Sequence, residues 1–109
     1  MIDYSIFNKI YFSTDTNLFR GGIPSFQIKV RAFFDEDEIK DNLFVFVNKN
    51  IKQIKLYYED DKGTCLSTYR LRKGRFKIDL STSNEYSLTV DELRWIINGL
   101  STSDFEKIR

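Results

Sequence analysis

Few side chains in this sequence have both the type and the spacing to do covalent chemistry. None of the 109 residues is a histidine, so the commonest general base near neutral pH and the commonest metal ligand are both missing. The acids Asp35, Glu36, Asp37, Glu38 and Asp41 are crowded together without the turn glycine and alternating ligand spacing of a calcium loop, and read as a solvated face. Gly21-Gly22 is too little for a phosphate-cradling loop or a dinucleotide fingerprint, so a turn is expected there. Cys65, the single cysteine, has no internal disulfide partner and sits in a strand-like stretch where a buried small hydrophobe is the expectation. No serine or cysteine has a histidine to activate it, and a Ser-Lys arrangement depends on three-dimensional positions. The expectation is a chain that is not an enzyme, with no cofactor, no metal and no small-molecule substrate.

What remains is cationic and aromatic. The chain carries a net charge of +1, yet residues 43–77 hold nine cations against three acids, whereas 1–42 hold five against seven and 78–109 hold three against six. Segregation of this kind can mark a surface for polyanions. Lys49, Lys52 and Lys55 cluster around one expected turn, and Arg70, Arg72, Lys73 and Arg75 around another. Converging at a sheet edge they would neutralise several phosphates, with Tyr57 or Tyr69 offering a ring for stacking and Arg20 contributing from a loop. The other reading is that these are ordinary exposed strand and turn positions, where Lys and Arg guard edge strands against aggregation. Trp95 also has two readings: an anchor for a protein partner, together with an exposed tyrosine such as Tyr57, or a residue that closes the core.

The elements that must position these residues follow from periodicity. At 41% hydrophobic and 16% aromatic, the chain has apolar surface enough for one domain over residues 1–109. No apolar run approaches the roughly 20 residues that cross a bilayer, and the amino terminus lacks the cationic start and apolar middle of a signal peptide, so a cytoplasmic protein with no membrane contact is expected. Ile10 to Phe12 suggest a short first strand, and the Thr-, Asn-, Asp- and Gly-rich stretch 13–22 a loop with Arg20 near its end. Pro24 suits a first helical position, and Phe26, Val30, Phe33 and Phe34 fall at i, i+4, i+7 and i+8. That helix should stop near Phe34, because the acids that follow would oppose the dipole at its carboxyl end. Strands are expected at 43–47, 53–58, 64–71 and 75–80, joined so tightly that an antiparallel meander is implied. In the second, Ile54, Leu56 and Tyr58 alternate with Lys55 and Tyr57, and in the fourth, Phe76, Ile78 and Leu80 alternate with Lys77 and Asp79, as in a sheet with one buried and one wet face; 43–47 is apolar on both sides. Thr89 and Glu92 form a capping box, Leu88 and Leu93 a hydrophobic staple, and Gly99 a stop, for a helix over 90–98 whose apolar stripe is Leu93, Ile96, Ile97 and Leu100. The fold class predicted is α+β: an antiparallel sheet of four or five strands with two short helices packed on it.

The spacing of Leu43-Phe44-Val45-Phe46, of Ile54-Lys55, of Asp60, Gly63, Cys65 and Leu66, and of Arg70-Leu71 followed by Lys73-Gly74-Arg75-Phe76 resembles the TnpB-type accessory protein encoded by the second small reading frame of insertion sequence 66 transposons. The likeness runs from Ile10 to Leu100. Where that family has a Thr-Asp-Met-Arg-Lys-Gly stretch, this chain has Asn17-Leu18-Phe19-Arg20-Gly21-Gly22, agreeing only at Arg20 and Gly22. Tyr58 and Glu59 stand where the family often has tryptophans. The resemblance implies a cytoplasmic accessory protein of a bacterial mobile element, acting beside a separate transposase. It leaves two roles open: a DNA-binding factor contacting the element ends through Arg20, Lys49, Lys52, Lys55, Arg70, Arg72, Lys73 and Arg75, or an adaptor that docks the transposase or another accessory subunit through Trp95 and Tyr57 without touching DNA. A degenerate copy with no current role is a third reading.

Overall fold

Two strands, β1 (Lys9–Ser13) and β2 (Asn42–Val47), lie parallel inside a five-stranded sheet, and they set the architecture. The computed structural model describes residues 3–81 and 85–99. Between the two strands run α1 (Ile23–Phe33) and α2 (Glu36–Lys40). Beyond β2 the chain forms β3 (Gln53–Asp60) and β4 (Gly63–Arg70), then β5 (Glu85–Leu88), which pairs antiparallel with β1, and α3 (Val90–Ile97). The spatial order is β4-β3-β2-β1-β5. Short 3₁₀ turns at Tyr4–Ile6 and Thr16–Leu18 precede and follow β1.

The class is α+β, as the sequence implies, but the sheet is mixed rather than purely antiparallel. The meander holds for β2, β3 and β4. It fails at β1, because the connection over residues 14–41 is long enough to carry the chain back across one face and start β2 in the same direction. It fails again at 75–80, which joins no ladder among the described residues. There Phe76 and Ile78 are buried while Lys77 and Asp79 are exposed, so the alternation reflects a segment laid over the core rather than a strand in the ladder. Asp79 closes it, its carboxylate accepting from the Ser81 backbone N–H at 2.9 Å.

Alternation within the strands sorts the core into two layers. Ile10, Phe12, Leu43, Val45, Val47, Ile54 and Leu56 point to one face, where Tyr4, Phe76, Ile78, Leu93 and Ile96 cover them. Phe44, Phe46 and Tyr57 point to the other, beneath Phe26 and Val30 of α1 and Ile39 of α2. Every residue of β2 is buried, in keeping with its unbroken apolar run from Leu43 to Val47. Tyr57, expected on a wet face, has no exposed surface, because the face it shares with Lys55 is the one roofed by α1. It is therefore not available for stacking or for docking a partner.

The helix ends follow local rules. Thr89 and Glu92 make the expected reciprocal cap, with Glu92 N–H donating to Thr89 Oγ1 at 3.1 Å and Thr89 N–H to Glu92 Oε1 at 3.0 Å. α1 stops at Phe33, but the acids beyond it do not merely trail into solvent. Asp35 caps α2, accepting from Glu38 N–H at 2.9 Å, and Glu36, Asp37 and Glu38 occupy the first turn, where the dipole favours them.

One ionic network ties the helices to the sheet. Arg31 of α1 reaches Glu36 of α2 at 2.8 Å and, with two nitrogens, Glu59 of β3 at 2.8 and 2.9 Å, and Tyr57 donates its hydroxyl to the same Glu59 carboxylate. The Arg31 hydrogen bonds hold the Glu59 carboxyl below its ordinary range, and burial, then the bond to Glu59, pushes the Tyr57 hydroxyl well above its own. Because the Arg31 side chain is 37% exposed, Arg31→Ala is expected to cost only about 1–2 kcal/mol, read as a lower urea midpoint. The Glu59 contribution is fully present above its unfolded value near ~4.3 and is lost as pH falls through the lower folded value. The stability gap between the natural chain and Glu59→Gln should therefore close in acid; a gap that does not change between neutral and acid pH would rule this account out.

Candidate nucleic-acid interface

Parallel strands bring their carboxyl ends together, so the loop after β1 and the turn after β2 lie side by side. Arg20 on the loop and Lys49 on the turn line one cleft of about 560 Å³, with Thr16, Asn17, Phe19, Asn48 and Asn50 completing its wall. The β2–β3 turn, residues 48–52, is held by the Asn48 side chain, whose Oδ1 accepts from Lys52 N–H at 3.0 Å and Gln53 N–H at 3.1 Å. Ile51 sits at its centre with φ 58°, a left-handed conformation rare for a β-branched residue, and its side chain packs against the core.

The segment after β4 docks on the other flank of this turn. Leu71 N–H donates to Lys52 C=O at 3.0 Å and Phe76 N–H to Ile51 C=O at 2.7 Å. As a result Lys52, Arg70 and Arg72 line a second depression, of about 270 Å³, with Leu71 and Gly74. Lys73 and Arg75 are exposed on the same segment. Seven of the eight cations singled out in the sequence thus gather at one end of the sheet, and among the described residues none of the seven enters an ion pair.

Lys55 is the exception. Its ammonium donates to the carbonyls of Phe19 at 2.9 Å and Gly21 at 3.0 Å and lies 4.4 Å from the Phe19 ring centre. Lys29 of α1 donates to the carbonyls of Leu18, at 2.9 Å, and of Arg20, and sits 4.4 Å over the Phe26 ring. Two lysines therefore take four successive carbonyls of the loop. Burial lowers the proton affinity of both, and for Lys29 the nearby Lys55 charge adds to it. Lys55 positions the loop that carries Arg20 instead of facing a phosphate. Sequence spacing gave no sign of this clamp, since a lysine on an alternating strand reads as solvent-facing until its neighbour in space is known.

Gly21 completes the clamp. Its φ is 108° and a Cβ there would come within 2.6 Å of Ser25 Oγ, so the loop can hug α1 only with glycine at this position.

The opposite end of the molecule carries the acids. Glu36, Asp37, Glu59, Asp60 and Asp61, with Lys40, surround a depression of about 230 Å³. The two aromatic candidates for partner binding do not stand out on the surface: Tyr57 is buried, and Trp95, on α3, is half-buried against the core. Cys65 is half-buried on β4, its Sγ 3.6 Å from Ser67 Oγ. Among the described residues, no group of three or more His, Cys, Asp or Glu side chains is disposed to hold a metal ion, and no helix is long and apolar enough to cross a membrane.

The pattern of the family described as IS66 Orf2 like protein matches residues 8–107. A protein of Sinorhizobium fredii (strain NBRC 101917 / NGR234), described as "Uncharacterized protein y4hO", is 26% identical over 92 residues, which cover 84% of this chain and 80% of that protein. No solved structure matches the chain significantly.

The clamp makes a direct prediction about stability. Gly21→Ala forces a side chain into a strained and crowded position and is expected to cost about 1–3 kcal/mol. Lys55→Met keeps the aliphatic stem but abandons two carbonyls, for about 1–2 kcal/mol. Urea denaturation of both variants checks this, and wild-type midpoints in both would show that the loop is not held as described.

Proposed function

The chain belongs to the IS66 Orf2-like family, proteins associated with transposition, and from that premise we propose that it is a non-catalytic accessory factor that binds DNA at the ends of its element through the basic end of the sheet. The observation that carries this reading is the juxtaposition of Arg20 with Lys49 in one cleft and of Lys52 with Arg70 and Arg72 in the next. Cations unpaired within the protein lose little on meeting phosphates, and release of condensed counterions from DNA then drives association. The first cleft is lined by polar side chains, Asn48 and Asn50 on the turn and Thr16 and Asn17 on the loop, which can donate to phosphate or sugar oxygens. The protein supplies position and charge, and strand cleavage and joining are left to the separate transposase. Cytoplasmic action follows from the same role.

An adaptor that docks the transposase without touching DNA is the second reading. Its support lies on α1 rather than at Trp95 or Tyr57: Ile28 is 74% exposed and Phe33 60% exposed, more than an isolated surface helix needs. Such a complex would tolerate salt and fail on Ile28→Glu or Phe33→Glu.

Fluorescence anisotropy with duplexes carrying the element's terminal repeat or a scrambled sequence, across a salt series, separates the two. The DNA reading expects affinity to fall steeply with salt and to drop by about tenfold or more in Arg20→Ala/Lys49→Ala and in Arg72→Ala/Lys73→Ala/Arg75→Ala. Binding to neither duplex at low salt would sink it.

A further inference from the structure

We infer that β4 is a dimerisation edge: two copies of this chain pair β4 with β4, antiparallel, about a two-fold axis at Ser67, so that two sheets become one. The inference concerns a different edge from the Arg20 and Lys49 cleft and is tested without DNA, although Arg70, Arg72 and Lys73 enter both readings.

β4 is the outermost strand on its side of the sheet, and it is twice the length of β5, which ends the other side. From Gly63 to Tyr69 it has neither a charge nor a proline, the two usual means by which an edge strand is kept from pairing. Ser67, Thr68 and Tyr69 are exposed, Tyr69 by 42%. One side of this ladder is satisfied by β3, from Gln53↔Arg70 to Asp60↔Gly63. The other side presents a row of backbone donors and acceptors.

The charges at the two ends of β4 select the occupant. Asp60 and Asp61 precede the strand and outnumber Lys62, whereas Arg70, Arg72 and Lys73 end and follow it. A parallel neighbour of the same sequence would set acid beside acid and base beside base. An antiparallel copy sets each basic end beside an acidic turn, twice, because a two-fold axis repeats every contact. With the axis at Ser67, each Ser67 lies opposite its own copy, Tyr69 lies opposite the partner's Cys65, covering its half-open ring, and Leu66 lies opposite the partner's Thr68. Arg20 and Lys49, on the β1 and β2 side, stay open in such a dimer.

Sedimentation equilibrium of the full chain without DNA tests this. The expected result is twice the 13.0 kDa chain mass, with Ser67→Lys, at the exposed position on the axis, raising the dissociation constant about tenfold or more while far-UV circular dichroism stays that of the natural chain. Ser67→Cys should form an intermolecular disulfide with its own symmetry copy under mild oxidation. The natural chain should form none, because its two copies of Cys65 are too far apart across the axis. A natural chain that remains monomeric at the highest concentration reached overturns the inference, and so does a dimer indifferent to Ser67→Lys. If Ser67→Lys does not fold, the Ser67→Cys crosslink decides alone: its absence refutes the β4 contact.

Discussion

Everything distinctive about this molecule depends on the parallel contact between β1 and β2. A parallel pair needs a long crossover, and the crossover here brings α1 and α2 over one face of the sheet. A strand such as β2, apolar at every position from Leu43 to Val47, needs cover on both faces, and the second cover comes from the amino-terminal turn, the 76–80 segment and α3. The same contact aligns the carboxyl ends of β1 and β2. A loop carrying Arg20 and a turn carrying Lys49, 29 positions apart in sequence, become two lips of one cleft.

The basic end is shaped as much by cations that are used up as by cations that are free. Lys29 and Lys55 spend their hydrogen-bonding capacity on the carbonyls of residues 18–21, which gives a glycine-containing loop a fixed course without any regular secondary structure. Their partial desolvation is tolerable because each ammonium also lies over an aromatic face. Across the cleft, the turn at 48–52 accepts a left-handed isoleucine, an unfavourable backbone state that persists because Ile51 packs on the core while its carbonyl anchors Phe76. Both lips are thus held from below, leaving their outward side chains unconstrained.

Much of the fold is legible in the sequence. The stripe of Phe26 and Val30, the caps at Thr89 and Glu92, and the hairpins around β3 are local signals, and local signals survive into the structure. What is not legible is non-local. Alternation at Phe76 and Ile78 reports which side chains face the core, but not whether the backbone between them has a strand to pair with. The same limit placed Tyr57 on a wet face: period two assigns it to a side of the sheet, and only the crossover, which makes that side dry, decides its fate. The acids 35–38 read as solvated, which they are, yet their role as the start of α2 turns on the break at Phe34. The cluster of cations was readable as a cluster; that Arg20 belongs with Lys49, and Lys55 with the loop, was not.

The separation of the acidic end, around Asp37 and Asp60, from the basic end, around Lys49 and Arg72, gives a nearly neutral protein a large dipole along its strands. A net charge of +1 exerts little pull on a distant polyanion, and salt confines the field to within about 8 Å. What the field does inside that range is exert a torque. A single chain would turn end-on as it nears a charged surface, strands pointing along the line of approach, whereas in the antiparallel β4 pair the two dipoles along the strands cancel.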